Sequence, residues 1–212
     1  VWADFDNDGD LDCLETGSPR MWQNDGSGGW TPLTGLPSEA FQNIPSNYGA
    51  WGDYDNDGDL DVFLTSGEYD RANRNHLFRN DGPAGFVEVL SGSPANDLAN
   101  SRGCSWVDYD NDGALDLFVV NADNGYRTAW SDFLYHNNGN TNHWLEVKLT
   151  GRVSNRSAIG AKVRVKAVIG GKEVWQLRTL SAQAFNQDLV AHFGLGDATN
   201  VAALRIEWPS GI

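Results

Sequence analysis

A chain of 212 residues has the length of one large domain or two small ones, and 29 acidic against 15 basic residues give it a net charge of −14. That balance excludes an ordinary nucleic-acid binder, whose Lys and Arg neutralise phosphates, and a polybasic anchor on an anionic membrane. With 40% hydrophobic residues, nine Trp and nine Phe, the chain can bury a core, so disorder is excluded. No apolar run reaches the ~20 residues of a membrane span. The charge is unevenly divided: residues 1–140 carry 24 carboxylates and six Arg, a net of −18, whereas residues 141–212 carry nine basic and five acidic groups, a net of +4. Two modules, 1–140 and 141–212, are expected from this break.

Along the first module one pattern recurs. Asp4-Phe-Asp-Asn-Asp-Gly-Asp-Leu-Asp12 returns as Asp53-Tyr-Asp-Asn-Asp-Gly-Asp-Leu-Asp61 and as Asp108-Tyr-Asp-Asn-Asp-Gly-Ala-Leu-Asp116, at spacings of 49 and 55 residues. Trp2, Trp51 and Trp106 each stand two residues ahead of a loop. Behind the loops run Cys13-Leu14, Val62-Phe-Leu64 and Leu117-Phe-Val-Val120. A second element then repeats as Met21-Trp-Gln-Asn-Asp-Gly26, Leu77-Phe-Arg-Asn-Asp-Gly82 and Leu134-Tyr-His-Asn-Asn-Gly139. Short aromatic and β-branched runs punctuated by Asn-Gly, Asp-Gly and Gly-Ser predict antiparallel hairpins, and no stretch has a helical period. Val1 stands directly ahead of a loop, so the first unit is expected to lack its beginning.

Asp, Asn and Gly favour turns for local reasons, so one such loop could be a solvated turn. Three copies in register are different, because four or five carboxylates within nine residues repel one another unless a cation sits among them. Positions 1, 3 and 5 project carboxylates inward, Gly at position 6 allows the sharp turn, position 7 offers its carbonyl and Asp at position 9 closes the shell. Hard oxygen ligands in this number suit Ca²⁺ better than Mg²⁺ or Zn²⁺. Ala114 at position 7 of the third loop agrees with a backbone contribution there. An EF-hand needs Glu at position 12 and flanking helices, but that position holds Glu15, Leu64 and Val119.

These loops on strand flanks resemble the FG-GAP (VCBS-type) repeats of integrin-α-like β-propellers. The resemblance implies an all-β fold, a partial β-propeller of about three blades over residues 1–140. It also implies about three calcium ions, one per loop. Their ligands would be Asp4, Asp6, Asp8, Asp10 and Asp12 in the first loop, and Asp53, Asp55, Asp57, Asp59 and Asp61 in the second. Asp108, Asp110, Asp112, Ala114 and Asp116 would serve in the third, with position 7 acting through its carbonyl in each.

From Asn142 the texture changes. Trp144–Leu149, Ala161–Ala167 and Leu204–Trp208 alternate apolar with polar residues, and Gly170-Gly171 predicts a hairpin between 163–169 and 173–177. The Lys and Arg of these strands are expected on a solvated face. Asn142-His-Trp-Leu, Ser154-Asn-Arg-Ser-Ala-Ile-Gly-Ala161, His192-Phe-Gly-Leu-Gly196 and Trp208-Pro-Ser-Gly211 resemble the ASPIC/UnbV domain, which follows FG-GAP-like repeats in many bacterial secreted proteins. This implies a small antiparallel β domain over 141–212, truncated at its C-terminal end, in an extracellular calcium-binding protein without catalytic activity.

Enzyme signatures are missing: there is no Gly-x-Ser-x-Gly elbow, His-Glu-x-x-His or phosphate-cradling glycine loop. Acidic pairs of the glycosidase kind are plentiful, but calcium already requires them. His76 is expected at the surface or in a turn, and His143 and His192 in structural hydrogen bonds. Cys13 is expected in a buried strand position and not in a disulfide with Cys104. The sequon Asn155-Arg-Ser157 is read as chance overlap with the domain pattern.

The expected function is a secreted or cell-surface calcium-stabilised scaffold for adhesion or matrix interaction, with a protein or glycan partner. Open blade edges add possible self-association. The alternative is an accessory or carbohydrate-binding module of a larger secreted enzyme, for which Trp22, Trp30 and Trp130 offer aromatic surface.

Overall fold

The structure, a computed structural model, describes residues 1–34, 41, 44, 46–67, 73–92, 94, 96–122, 130–181 and 189–211. It is all-β, and every described strand pair is antiparallel.

The repeat in sequence is a repeat in hydrogen-bond register. Strands β1 (Trp2–Ala3), β2 (Asp12–Glu15), β3 (Arg20–Asn24) and β4 (Trp30–Pro32) form the first blade in that order. The second is built from β5 (Ser46–Gly52), β6 (Asp61–Ser66), β8 (His76–Asn80) and β9 (Phe86–Glu88). A two-stranded ribbon of β7 (Asn73–Arg74) and β10 (Leu98–Ala99) lies beside it. The third blade holds β11 (Ser101–Val107), β12 (Asp116–Asn121) and β13 (Phe133–Tyr135). In each blade the loop-flanking Trp faces the second residue past the acidic loop's start of strand: Trp2 pairs Cys13, Trp51 pairs Val62 and Trp106 pairs Leu117. The acidic loop is thus always the connection between a blade's first two strands.

The second blade's central strand has apolar side chains on both faces, because it is packed on both sides. In β6 all six residues are buried, as for a strand covered on both faces. Val62, Leu64 and Phe78 pack with Phe5, Leu14 and Met21 of the first blade. Phe63 and Leu77, on the other face, pack with Trp106, Leu117 and Val119 of the third. Full burial of a side chain such as Phe63 stabilises by about 1.5–3 kcal/mol.

The second module contains β14 (His143–Lys148), β15 (Lys162–Ile169), β16 (Lys172–Thr179), β17 (Val190–Gly196) and β18 (Ala203–Glu207). Its two sheets are β14-β17 and β16-β15-β18. Alternation along β15 sends Val163, Val165 and Ala167 inward onto Phe193 and Leu180. The expected Gly170-Gly171 hairpin is present, with both glycines at positive φ between β15 and β16.

Candidate metal centre

Each acidic loop is first a network of local hydrogen bonds. The first-position carboxylate accepts the sixth-position N–H: Asp4 from Gly9, Asp53 from Gly58 and Asp108 from Gly113. The fifth-position carboxylate accepts the seventh-position N–H, at 2.9 Å in the first two loops and 2.8 Å in the third. Positions 4 and 6 take the left-handed conformation in all three loops, through Asn7, Asn56 and Asn111 and through Gly9, Gly58 and Gly113. Asn and Gly are the residues for which that conformation costs least.

This winding brings oxygens of positions 1, 3 and 5 together. In Asp4–Asp6–Asp8, Asp53–Asp55–Asp57 and Asp108–Asp110–Asp112 one carboxylate oxygen from each residue lies within 4.8 Å of the others. Asp4 Oδ1 and Asp55 Oδ1 are buried with no hydrogen-bond partner. Such atoms cost free energy unless something satisfies them, and a hard cation does so. The residues therefore fit Ca²⁺.

The ninth-position carboxylates do a second job. Asp12, Asp61 and Asp116 are fully buried, and each accepts two backbone N–H groups. One comes from loop position 2, namely Phe5, Tyr54 or Tyr109. The other comes from the asparagine of the second repeated element, Asn24, Asn80 or Asn137. Among the described residues Asp116 groups within 4.8 Å with Asp110 and His136. At position 7 the side chains turn aside. Asp59 Oδ1 accepts a bond from Asn7 at 2.8 Å. The carboxylate of Asp10 lies where a Cβ on Gly26 would sit, and Ala114 Cβ is 3.6 Å from the same point on Gly139.

In the first two loops burial and crowding raise several carboxyl pKa values. Desolvation, with neighbouring carboxylates adding to it, pushes Asp4 and Asp12 up to about 7, Asp53 to about 8, and Asp55 and Asp59 to about 6. Asp61 is raised well above its ordinary value for the same reason. Without a cation these two loops, when ionised, are thus under electrostatic strain.

The second module sits on the backs of these loops. Arg164 donates to the Gly9 carbonyl at 2.9 Å, and Gly196 N–H donates to the Asn56 carbonyl at 2.8 Å. Gly194 N–H donates to Asp53 Oδ2 at 3.0 Å, and His192 Nε2 donates to the Gly113 carbonyl at 3.2 Å. Burial lowers the His192 pKa to about 4, so its imidazole is neutral and that nitrogen carries the proton. Arg178 is half-buried near Asp53, Asp4, Asp59 and Asp61, whose charges oppose the lowering of its pKa by desolvation. The expected solvated face therefore needs correcting for Arg164 and Arg178. They turn toward the acidic loops because −18 on one module draws the cations of the other.

Other expectations are also revised. His76 is buried in β8 with Glu88 at 2.8 Å, since its strand is covered on both faces. His143 is exposed at the start of β14 and makes no side-chain hydrogen bond among the described residues. Cys13 is half-buried in β2, Cys104 is buried, and both are free thiols. Asn155 is exposed, but its amide is tied to both the N–H and the carbonyl of Ile159.

The docking role of His192–Gly196 was not legible in sequence, although its two glycines were a signal of close approach. A Cβ on Gly194 would lie 2.1 Å from Asp53 Oδ2 and 2.5 Å from the Asn56 backbone. Gly194→Val is expected to unseat the module from the second loop and to cost about 1–3 kcal/mol. Thermal melting with limited proteolysis between the modules checks this. An unchanged melting temperature and cleavage pattern would refute it.

Two known families match the chain. A model of the FG-GAP-like repeat matches residues 4–64 and again 53–119. A model described as ASPIC and UnbV matches residues 151–212. No curated protein gave a match.

Proposed function

Since this chain belongs to the FG-GAP-like repeat family and carries an ASPIC and UnbV domain, we propose that it is an extracellular or cell-surface interaction scaffold held together by about three calcium ions. The metal is structural, and the protein is not itself an enzyme. One observation carries the reading: three loops each gather three carboxylates, while Asp4 Oδ1 and Asp55 Oδ1 are buried without a partner. The ions would be held by Asp4, Asp6, Asp8, Asp12 and the carbonyl of Asp10, and by the equivalent positions of the other loops. A bound cation supplies charge compensation there. The chain supplies a preformed backbone turn, and its interlocked loops carry that order from blade to blade.

Loops of this type fit weak sites filled by external calcium, with Kd of about 10⁻⁴–10⁻³ M. That range supports a location outside the cytosol, where adhesion or matrix partners, protein or glycan, are met. Metal analysis together with calorimetric titration tests the reading. The expected result is about three calcium ions per chain, with affinities in that range. Fewer than one ion per chain would sink it, and submicromolar affinity would argue against the extracellular placement.

A further inference from the structure

We infer that the third acidic loop, unlike the other two, is built to exchange calcium for a borderline divalent transition metal such as Zn²⁺, held by Asp110, Asp116 and the imidazole of His136. The inference rests on the reading of these loops as cation sites and names the cation that the third one prefers.

The position before the asparagine of the second repeated element is Gln23, Arg79 or His136. In the first blade Gln23 Nε2 donates to Asp6 Oδ2 at 2.9 Å. In the second, Arg79 pairs with Asp81, Nε to Oδ1 at 2.6 Å. In the third, Asn138 stands where Asp81 does, so no carboxylate draws His136 away. Its Nδ1 lies 3.2 Å from Asp116 Oδ1 and 3.5 Å from Asp110 Oδ2.

Those atoms have the spacing of a coordination shell. Bonds of about 2.0–2.1 Å to a tetrahedral ion set neighbouring ligand atoms ~3.4 Å apart. Among the described residues this is the only group of metal-ligating side chains, their atoms within 4.8 Å of one another, that includes a nitrogen. The nitrogen changes the preference, because calcium takes hard oxygens whereas imidazole suits Zn²⁺, Ni²⁺ and Cu²⁺. A guanidinium keeps its protons and an amide nitrogen only donates, so neither Arg79 nor Gln23 can supply such a ligand.

The surroundings hold the three groups in place. Asp116 is fully buried and accepts the Tyr109 and Asn137 N–H groups, one on each oxygen, which leaves each oxygen a second lone pair. The Tyr109 ring packs edge-to-face with the imidazole at 6.0 Å. The His136 side chain is 43% exposed, so an ion can enter from solvent. Arg79, which has a blade on either side, is 42% exposed at the same position, so this access belongs to the position in the blade. Asp110 also belongs to the cluster with Asp108 and Asp112. One carboxylate shared by two arrangements makes the ions competitors. Zinc at His136 would displace calcium from the third loop and leave the other two filled.

Calorimetric titration of Zn²⁺ into the whole chain in millimolar calcium, with metal analysis of the product, tests this. The expected result is one zinc ion per chain, bound roughly tenfold or more tightly than calcium, and one calcium ion lost. His136→Gln gives the third loop the residue of the first. It should weaken zinc binding about thirtyfold or more, while calcium affinity stays within a few-fold. His143→Gln, at an exposed histidine of the second module, should change neither. Circular dichroism confirms that each variant is folded. Zinc that fails to bind, binds His136→Gln equally well, or leaves every bound calcium ion in place overturns the proposal. The calcium reading falls separately: zinc held through His136, with no calcium in any loop, would refute that reading and leave the zinc site standing.

Discussion

Chelating calcium is expected to lower the melting temperature of this protein by many degrees, and magnesium is not expected to restore it. Binding to the native state alone stabilises by about 2.7 kcal/mol per site at a hundredfold excess over Kd. In a chain of this size that corresponds to roughly 5–10 °C for each site. Magnesium should fail because it holds its waters and demands a smaller, more regular shell. The pH dependence should also reverse. Burial pushes Asp4 and Asp12 up to about 7 and Asp53 to about 8, against an ordinary value of 3.8. A folded state that keeps protons the unfolded chain has released loses stability as pH rises. The metal-free protein should therefore become less stable between about pH 4 and pH 8. Calcium would bind the ionised loops, so the loaded protein should gain stability over the same interval. Melting curves at several pH values, with chelator and with calcium, measure both slopes. Equal slopes would show that no cation is linked to these carboxylates.

Three neighbouring residues of the second loop should fail in three different ways. Asp57→Ala removes one of the three clustered carboxylates and should weaken calcium binding by well over tenfold, about 1.4 kcal/mol and upward. Asp59→Ala removes a side chain that turns away from the cluster to accept a bond from Asn7. Its calcium affinity should stay within a few-fold, while the joint between the first two blades loses about 1 kcal/mol of stability. Gly58 sits at φ +102°, and a Cβ there would also lie 2.7 Å from Ile169 of the second module. Gly58→Val should therefore destabilise through backbone strain and through a clash, with every carboxylate intact. Calorimetric titration and thermal melting separate the three cases. If Asp59→Ala loses calcium as badly as Asp57→Ala, the seventh position binds through its side chain and the coordination shell is misassigned.

Much of this was readable because the repeat is local. A nine-residue loop carries its own turn residues, so Asp-x-Asp-Asn-Asp-Gly marks both the positive-φ positions and the three clustered carboxylates. Alternation along Lys162–Ile169 gave the inward face of β15, and Gly170-Gly171 gave its hairpin. The second repeated element was visible as a pattern but not as a function. Asn24, Asn80 and Asn137 cap the buried ninth-position carboxylates of their own blades. Asn80 and Asn137 also grip the preceding blade, across 75 and 83 residues.

What amino-acid order by itself determined was the set of interactions made within a few residues: the loop windings, the strand pairs around them and the charge of each module. The tertiary structure alone decided what those loops meet. Arg178 and His76 alternate in their strands like ordinary polar residues, yet one is half-buried near four carboxylates and the other buried beside Glu88. Gly194 stands in the sequence only as part of a domain pattern, yet it is the point where two modules come too close for a side chain. The reason is physical. Local pattern reports the preference of a residue for water or for a turn, whereas burial of a charge is settled by the opposite charges that a distant part of the chain brings to it.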